Sequence, residues 1–258
     1  MDREHRADDA RRSWERMANL ITIGRVLLLF GTIAMIYSRN YWLIVVSACL
    51  IGFIFAGDGL DGWVARRRNA STRLGAVLDI AGDRVVENVL WVVFAELQQV
   101  GVWAPLVVLT RSFTVDVMRS VALSEAGKTP FGESTMMRSW FTWALTASRF
   151  SRVAYGWSKA LGFVFLTLLV AWRLPDADGR FLDIVFDYQA FRALGWLLVY
   201  ASIALCVIRG LPVIWDAMYY LREDDRDSRV LESTQGNAIS GRDVATAVAE
   251  HGERGEPA

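Results

Sequence analysis

Tyr41-Trp-Leu-Ile-Val-Val-Ser-Ala-Cys-Leu-Ile-Gly-Phe-Ile-Phe-Ala-Gly57 runs for 17 residues without a charge, and Asp58-Gly-Leu-Asp61-Gly62-Trp-Val-Ala65-Arg66 follows it at once. A helix that is apolar all round has no face for water and belongs inside a large core or a bilayer. The run is close to the ~20 residues that crossing a bilayer requires. Blocks of the same kind recur, giving six expected spans: Ile21–Ser38, Tyr41–Gly57, Leu74–Leu97, Val102–Leu123, Tyr155–Ala171 and Ala193–Tyr219. The whole chain agrees, with 53% hydrophobic residues, 11 Trp and 13 Phe in 258 positions. Charged residues still make up 22%, so they are gathered into the connectors instead of being spread along the chain. The fold class expected is all-α, a polytopic membrane protein with six transmembrane helices and an N-terminal interfacial helix.

Charge and cysteine content exclude several functions. With 28 basic and 28 acidic residues the net charge is zero, which gives no bulk attraction for nucleic acid. Cys49 and Cys206 both fall within apolar blocks, so neither a disulfide framework nor a zinc site is expected.

The blocks divide the chain into three parts. Residues 1–20 read as a cytoplasmic interfacial helix, because Trp14, Met17, Ala18 and Ile21 recur at helical spacing with Arg11, Arg12, Glu15 and Arg16 between them. A plain helical extension of the first span is the alternative. Residues 21–221 form the transmembrane domain. Residues 222–258 have no aromatic residue and mixed charge, the composition of a flexible cytoplasmic tail. Within the 124–155 connector, Ser139–Ser148 is apolar but too short to span, which suits a half-buried helix. Positive charge sets the orientation. Arg3, Arg6, Arg11, Arg12 and Arg16, then Arg66, Arg67, Arg68 and Arg73, then the Arg119–Lys159 connector lie on one side. The other side has Arg39, Arg173, Arg180 and Arg192. Both termini and the long connectors are therefore expected in the cytoplasm, on the inner (cytoplasmic) membrane.

The chemistry starts where the second block ends. Asp58 and Asp61 are three apart, Asp79 and Asp83 four apart, so each pair shares one helix face. If the 66–74 connector is a tight hairpin, the two faces meet. Four carboxylates converging at a bilayer edge repel one another and cannot all stay ionised unaided. Oxygen donors without His or Cys select magnesium, manganese or calcium over zinc. Four of them suit two ions about 4 Å apart, the arrangement of in-line displacement at phosphorus. Arg66 could hold a diphosphate, and Gly62 and Gly75 leave room for a ligand near the backbone. Asp-Gly pairs are also common turn formers. An EF-hand loop is excluded, because position 12 from Asp58 is Asn69, not Glu. Arg67, Arg68 and Arg73 read as topology determinants.

Asp58-x-x-Asp61-Gly62-x-x-Ala65-Arg66-x8-Gly75-x3-Asp79-x3-Asp83 resembles the signature of the CDP-alcohol phosphotransferases at every defined position. The resemblance implies a six-helix membrane enzyme, usually a homodimer. Its reaction would be attack of a hydroxyl on the β-phosphate of a CDP-linked lipid, CDP-diacylglycerol, with release of CMP. It further implies that Asp58, Asp61, Asp79 and Asp83 bind two divalent cations, Mg2+ or Mn2+, and that Asp83 is also the general base. Gly62, Ala65, Arg66 and Gly75 would line the nucleotide site. Asn19-Leu-Ile-Thr22-Ile-Gly-Arg25 is similar to the N-x-x-T-x-x-R opening of many members, which adds Asn19 to that site.

Arg111, Arg119 and Gly156-Trp-Ser-Lys159 resemble the phosphatidylglycerophosphate synthase branch, although Ser112 stands where that branch has Glu and Trp157 and Ala160 alter its lysine motif. In that branch Arg111, Arg119 and Lys159 would hold a phosphate on the acceptor, glycerol 3-phosphate. A bland alternative pairs Arg119 with Asp116 and lets Lys159 snorkel to headgroups. Inositol phosphate, inositol and serine remain as other acceptors. Aromatic prenyltransferases place their Asp-rich motifs far apart, unlike the single 58–83 cluster. A divalent-cation transporter would place carboxylates at mid-span in broken or repeated helices.

Overall fold

The computed structural model describes the backbone of residues 2–68, 73–126, 149–215 and 218, with side chains for 20–57, 75, 77–118, 120, 151–215 and 218. Among the described residues the chain is all-helical and contains no strand. The long helices are α1 (Asp2–Tyr37), α2 (Tyr41–Arg68), α3 (Arg73–Glu96), α4 (Trp103–Ala126) and α5 (Arg149–Trp172). A 3₁₀ turn at Pro175–Ala177 and the short α6 (Phe181–Asp187) follow, then α7 (Gln189–Trp215).

Among the described residues three helices are long and apolar enough to cross a membrane: Leu20–Tyr37 within α1, Ser151–Trp172 within α5, and α7. The apolar part of α2, Tyr41–Gly57, is shorter. Helices α3 and α4 each have 24 residues, or about 36 Å at 1.5 Å per residue. Their middles, however, carry Asp79, Asp83, Arg84 and Glu87, and Arg111, Asp116 and Arg119. Leu27, Phe30, Trp42, Phe53, Phe113, Leu197 and Trp215 are exposed. So many apolar side chains on the outside mark a surface made for lipid, and the chain is an integral membrane protein.

Local chemistry ends the helices where the sequence changes character. Asn40 caps α2, its Oδ1 accepting from the Trp42 and Leu43 amides at 3.0 and 3.2 Å. Arg39 takes a positive φ of 54° in the turn before it. At the other end α2 does not stop at the Asp-Gly segment. It continues through Gly57–Gly62 to Arg68, so the turn reading of those pairs does not hold. Hydropathy marks the apolar part of a helix, not its end. Helix α1 is likewise unbroken from Asp2, so no change in secondary structure separates residues 2–20 from the first span.

Helix α1 packs on α2 and α3, α2 on α5, α3 on α4, and α5 on α6. The core holds Leu29, Ile44, Ile51, Leu90 and Leu166, with Phe163 stacked between Phe55 and Phe94 and meeting Trp91 edge-on. A second aromatic group, Phe165, Trp172, Phe186, Phe191 and Trp196, ties α5, α6 and α7 together. The expected Ser139–Ser148 segment and the 222–258 tail lie outside the described residues.

Candidate active site

The expected nucleotide and metal segment occupies the last turns of α2 and the first half of α3. Asp58, Asp61, Gly62, Ala65 and Arg66 all lie on α2, and Asn19 lies on α1; the side chains of these six lie outside the described residues. On α3, Gly75, Asp79, Asp83 and Glu87 recur every four residues, a spacing that drifts only about 40° per step around a helix. Asp79 and Asp83 are partly exposed.

Asp83 is held from α1. Arg25, 7% exposed, donates from Nη2 to Asp83 Oδ1. The contact exists because α1 and α3 approach closely at this level. A methyl group on Gly82 would stand 2.8 Å from Thr22 Cγ2, so only a glycine leaves room for Thr22. The Arg25 stem also reaches α2, where a Cβ on Gly57 would be 3.8 Å from Arg25 Cδ. Arg25 therefore reaches from α1 to both helices that carry the four aspartates, α2 and α3.

One turn beyond Asp83, a network crosses the bundle. Glu87, 2% exposed, accepts at Oε1 from the Tyr155 hydroxyl and at Oε2 from Lys159 Nζ at 3.2 Å. Arg84 Nη1 lies 3.9 Å from the same Oε2. Arg84 also makes a two-pronged bond to Asp116 of α4, with both contacts at 2.9 Å. This is the fork geometry in which a guanidinium binds a carboxylate best. Asp116 thus serves Arg84. Lys159 lies midway along α5, over the Phe55 and Tyr155 rings at 5.3 and 5.1 Å, instead of reaching out to headgroups.

Of the three expected acceptor cations, Arg111 and Lys159 are described, and the Arg119 side chain is not. Arg111 lies against the backbone of α7, where a Cβ on Gly210 would stand 2.7 Å from Arg111 Nε. Its neighbour Arg209, 9% exposed, donates to Ser151 Oγ at 3.0 Å and lies 5.6 Å from the Tyr155 ring centre. Sequence reading passed over Arg84, Glu87, Tyr155 and Arg209. The available signal was simple: ionisable residues deep inside apolar helices are costly and rarely idle.

Asp79 and Asp83 offer only oxygen, share one face and remain reachable from solvent, as a hard cation requires. Among the described residues no three such groups converge; Asp58 and Asp61 would have to complete the set. The residues present fit a divalent cation.

An all-helical membrane protein that keeps guanidinium groups and carboxylates inside its helix bundle is built to handle a charged substrate within the bilayer. Residues 15–208 match the CDP-alcohol phosphatidyltransferase family, and the chain belongs to it. It is an enzyme of phospholipid biosynthesis that moves a phosphatidyl group from a CDP-linked lipid to an alcohol, in a family that generally uses divalent cations. It is 31% identical over 176 residues to a CDP-diacylglycerol–glycerol-3-phosphate 3-phosphatidyltransferase of Pseudomonas fluorescens, covering 66% of this chain and 86% of that one. The enzyme of the same name from Escherichia coli is 28% identical over 137 residues, 48% of this chain and 75% of the relative. A phosphatidylinositol phosphate synthase of Mycobacterium marinum is 36% identical over 82 residues, 30% of this chain and 35% of that protein.

Proposed function

We propose that this chain is a phosphatidylglycerophosphate synthase: it transfers the phosphatidyl group of CDP-diacylglycerol to the hydroxyl of glycerol 3-phosphate and releases CMP. The observation that carries the acceptor is the pair of inward cations, Arg111 on α4 and Lys159 on α5. An uncharged alcohol gives such costly groups nothing to bind. The names of the Pseudomonas and Escherichia relatives support the same choice.

The residues take these parts. Asp58, Asp61, Asp79 and Asp83 would hold two divalent cations, Mg2+ or Mn2+. Such ions, when bound, neutralise a diphosphate and its departing phosphate. Counted from the middle of the 69–72 connector, Asp58 and Asp83 lie at equal distances along their helices, and so nearly do Asp61 and Asp79. A hairpin of α2 and α3 would bring the four to two matched levels. Asn19, Gly62, Ala65, Arg66 and Gly75 line the CDP site. Asp83, aimed by Arg25, takes the proton of the acceptor hydroxyl as its oxygen forms a bond to the β-phosphorus. The bond from that phosphorus to the CMP oxygen breaks. Arg111, Arg119 and Lys159 hold the acceptor's phosphate. The fold is the six-span bundle with both termini in the cytoplasm, as a homodimer in the inner membrane.

A second reading keeps the chemistry and changes the acceptor to inositol phosphate, which the Mycobacterium relative favours. One assay separates them: purified protein, CDP-diacylglycerol and Mg2+ with glycerol 3-phosphate, inositol phosphate, inositol and serine in turn, following CMP. Glycerol 3-phosphate is expected to give the highest kcat/KM, and EDTA to abolish turnover. Preference for an unphosphorylated alcohol overturns the acceptor-phosphate site. Turnover that survives the chelator overturns the metal assignment.

A further inference from the structure

Glu87 is not one of the residues required by the reaction, yet it is the most deeply buried carboxylate on the face that carries Asp79 and Asp83. A carboxylate buried to 2% exposure stays only where hydrogen bonds and a countercharge hold it. A simple clamp between α3 and α5 would be complete with Lys159 Nζ at 3.2 Å from Oε2. The structure adds a second tie, from the Tyr155 hydroxyl to Oε1. That bond fixes the far end of a ring whose near end is already fixed to α5, so the ring plane is set. Two cations then rest on the ring: Lys159 Nζ at 5.1 Å and Arg209 Cζ at 5.6 Å from its centre, within the usual cation–π range. Lys159 has three N–H donors, so the bond to Glu87 does not exhaust it.

We infer that Glu87 and Tyr155 are positioning residues that hold the Lys159 ammonium at the phosphate of the acceptor. This rests on the acceptor-phosphate reading above. The ammonium of a lysine is a point charge on a flexible four-carbon stem, and a free one loses rotamer entropy when it grips an anion. Glu87 and the Tyr155 ring remove that freedom in advance. The acceptor then meets a cation already in place.

Tyr155→Phe and Glu87→Gln in the full-length protein test this, with saturation curves for both substrates and inhibition by inorganic phosphate. Phe keeps the ring and its packing but releases Glu87. The apparent KM for glycerol 3-phosphate and the inhibition constant of phosphate should each rise roughly tenfold, the effect of losing one hydrogen bond to a charged group. The KM for CDP-diacylglycerol should stay within about twofold, because uniform damage would move both substrates. Glu87→Gln should act in the same direction, and the double variant should cost less than the product of the two single effects. If Glu87→Gln fails to accumulate, the isosteric Tyr155→Phe decides alone. A Tyr155→Phe enzyme that loses only kcat, or whose two KM values move together, overturns the inference. Arg111→Ala distinguishes the two levels of failure. If it raises the acceptor KM while Tyr155→Phe does not, the positioning role is wrong and the phosphate site stands. If neither raises it, the phosphate site itself falls and the positioning role with it.

Discussion

At the scale of single residues, the proposed reaction gives Asp83 two parts: to face a cation and to accept a proton. Its Oδ1 already accepts from Arg25, a guanidinium that is 7% exposed and so has little water to compete with. Replacing Asp83 with Asn keeps the shape and leaves a carbonyl oxygen for Arg25, so the α1–α3 contact survives. The amide cannot take the acceptor's proton. CMP release at saturating substrates should fall by about 10²- to 10⁴-fold, the usual contribution of a general base, with near wild-type thermal stability. Turnover close to wild type would remove Asp83 from that role. Arg111 makes a different prediction, because it is assigned to binding and not to proton transfer. Arg111→Ala should raise the apparent KM for glycerol 3-phosphate at least tenfold, the effect of about 1.4 kcal/mol of lost binding, and leave that for CDP-diacylglycerol nearly unchanged. Equal effects on both substrates would count against it.

At the scale of helices, what the sequence made legible follows the physics of each signal. Apolar length is local, so the blocks at Leu74–Leu97 and Val102–Leu123 fall within a residue or a few of α3 and α4. Where a helix leaves the apolar region the signal is silent. Helix α2 therefore runs 11 residues past Gly57 to Arg68, whereas the helical spacing of Trp14, Met17, Ala18 and Ile21 already read as helix ahead of the first span, and α1 runs unbroken from Asp2. The short α6 was missed because seven residues carry too little periodicity to register. The aspartate spacing was readable because both pairs lie within one short stretch of chain. Glu87 with Tyr155 and Lys159 was not, since the partners are 68 and 72 residues apart and spacing along one helix says nothing of the neighbour across it. Gly82 shows how a helix crossing serves the site. The 2.8 Å to Thr22 leaves no space for a side chain. Gly82→Val should push α1 from α3, destabilise the fold by about 1–3 kcal/mol, as overpacked sites do, and lower activity by parting Arg25 from Asp83. A thermal melt together with CMP release checks both. A Val variant as stable and as active as the wild type would mean that the crossing does not set the Arg25–Asp83 contact.

At the scale of the whole molecule, the question is which side of the membrane the site faces. The reaction requires CDP-linked lipid, and the four aspartates lie toward the 69–72 connector, so that connector and the site must share a side. The positive charge around that connector, Arg66, Arg67, Arg68 and Arg73, argues for the cytoplasm, as does the Arg-rich N-terminal segment. The opposite ends of the helices carry Arg39, Arg173, Arg180 and Arg192, each close to aromatic residues suited to an interface; Arg180 lies 4.7 Å from the Tyr41 ring centre. Six spans would return the chain to the side where it began. Single cysteines test this in a background with Cys49 and Cys206 replaced by Ala. Asp178→Cys lies in the exposed turn between α5 and α6, on the face away from the site. It should react with a membrane-impermeant maleimide added to intact cells. Ala70→Cys, in the connector between α2 and α3, should react only after the membrane is opened. The reverse pattern would place the site outside and overturn the orientation. Labelling of both positions in intact cells would mean that α3, α4 and α5 do not together carry the chain across an odd number of times, and the six-span reading would fail with it.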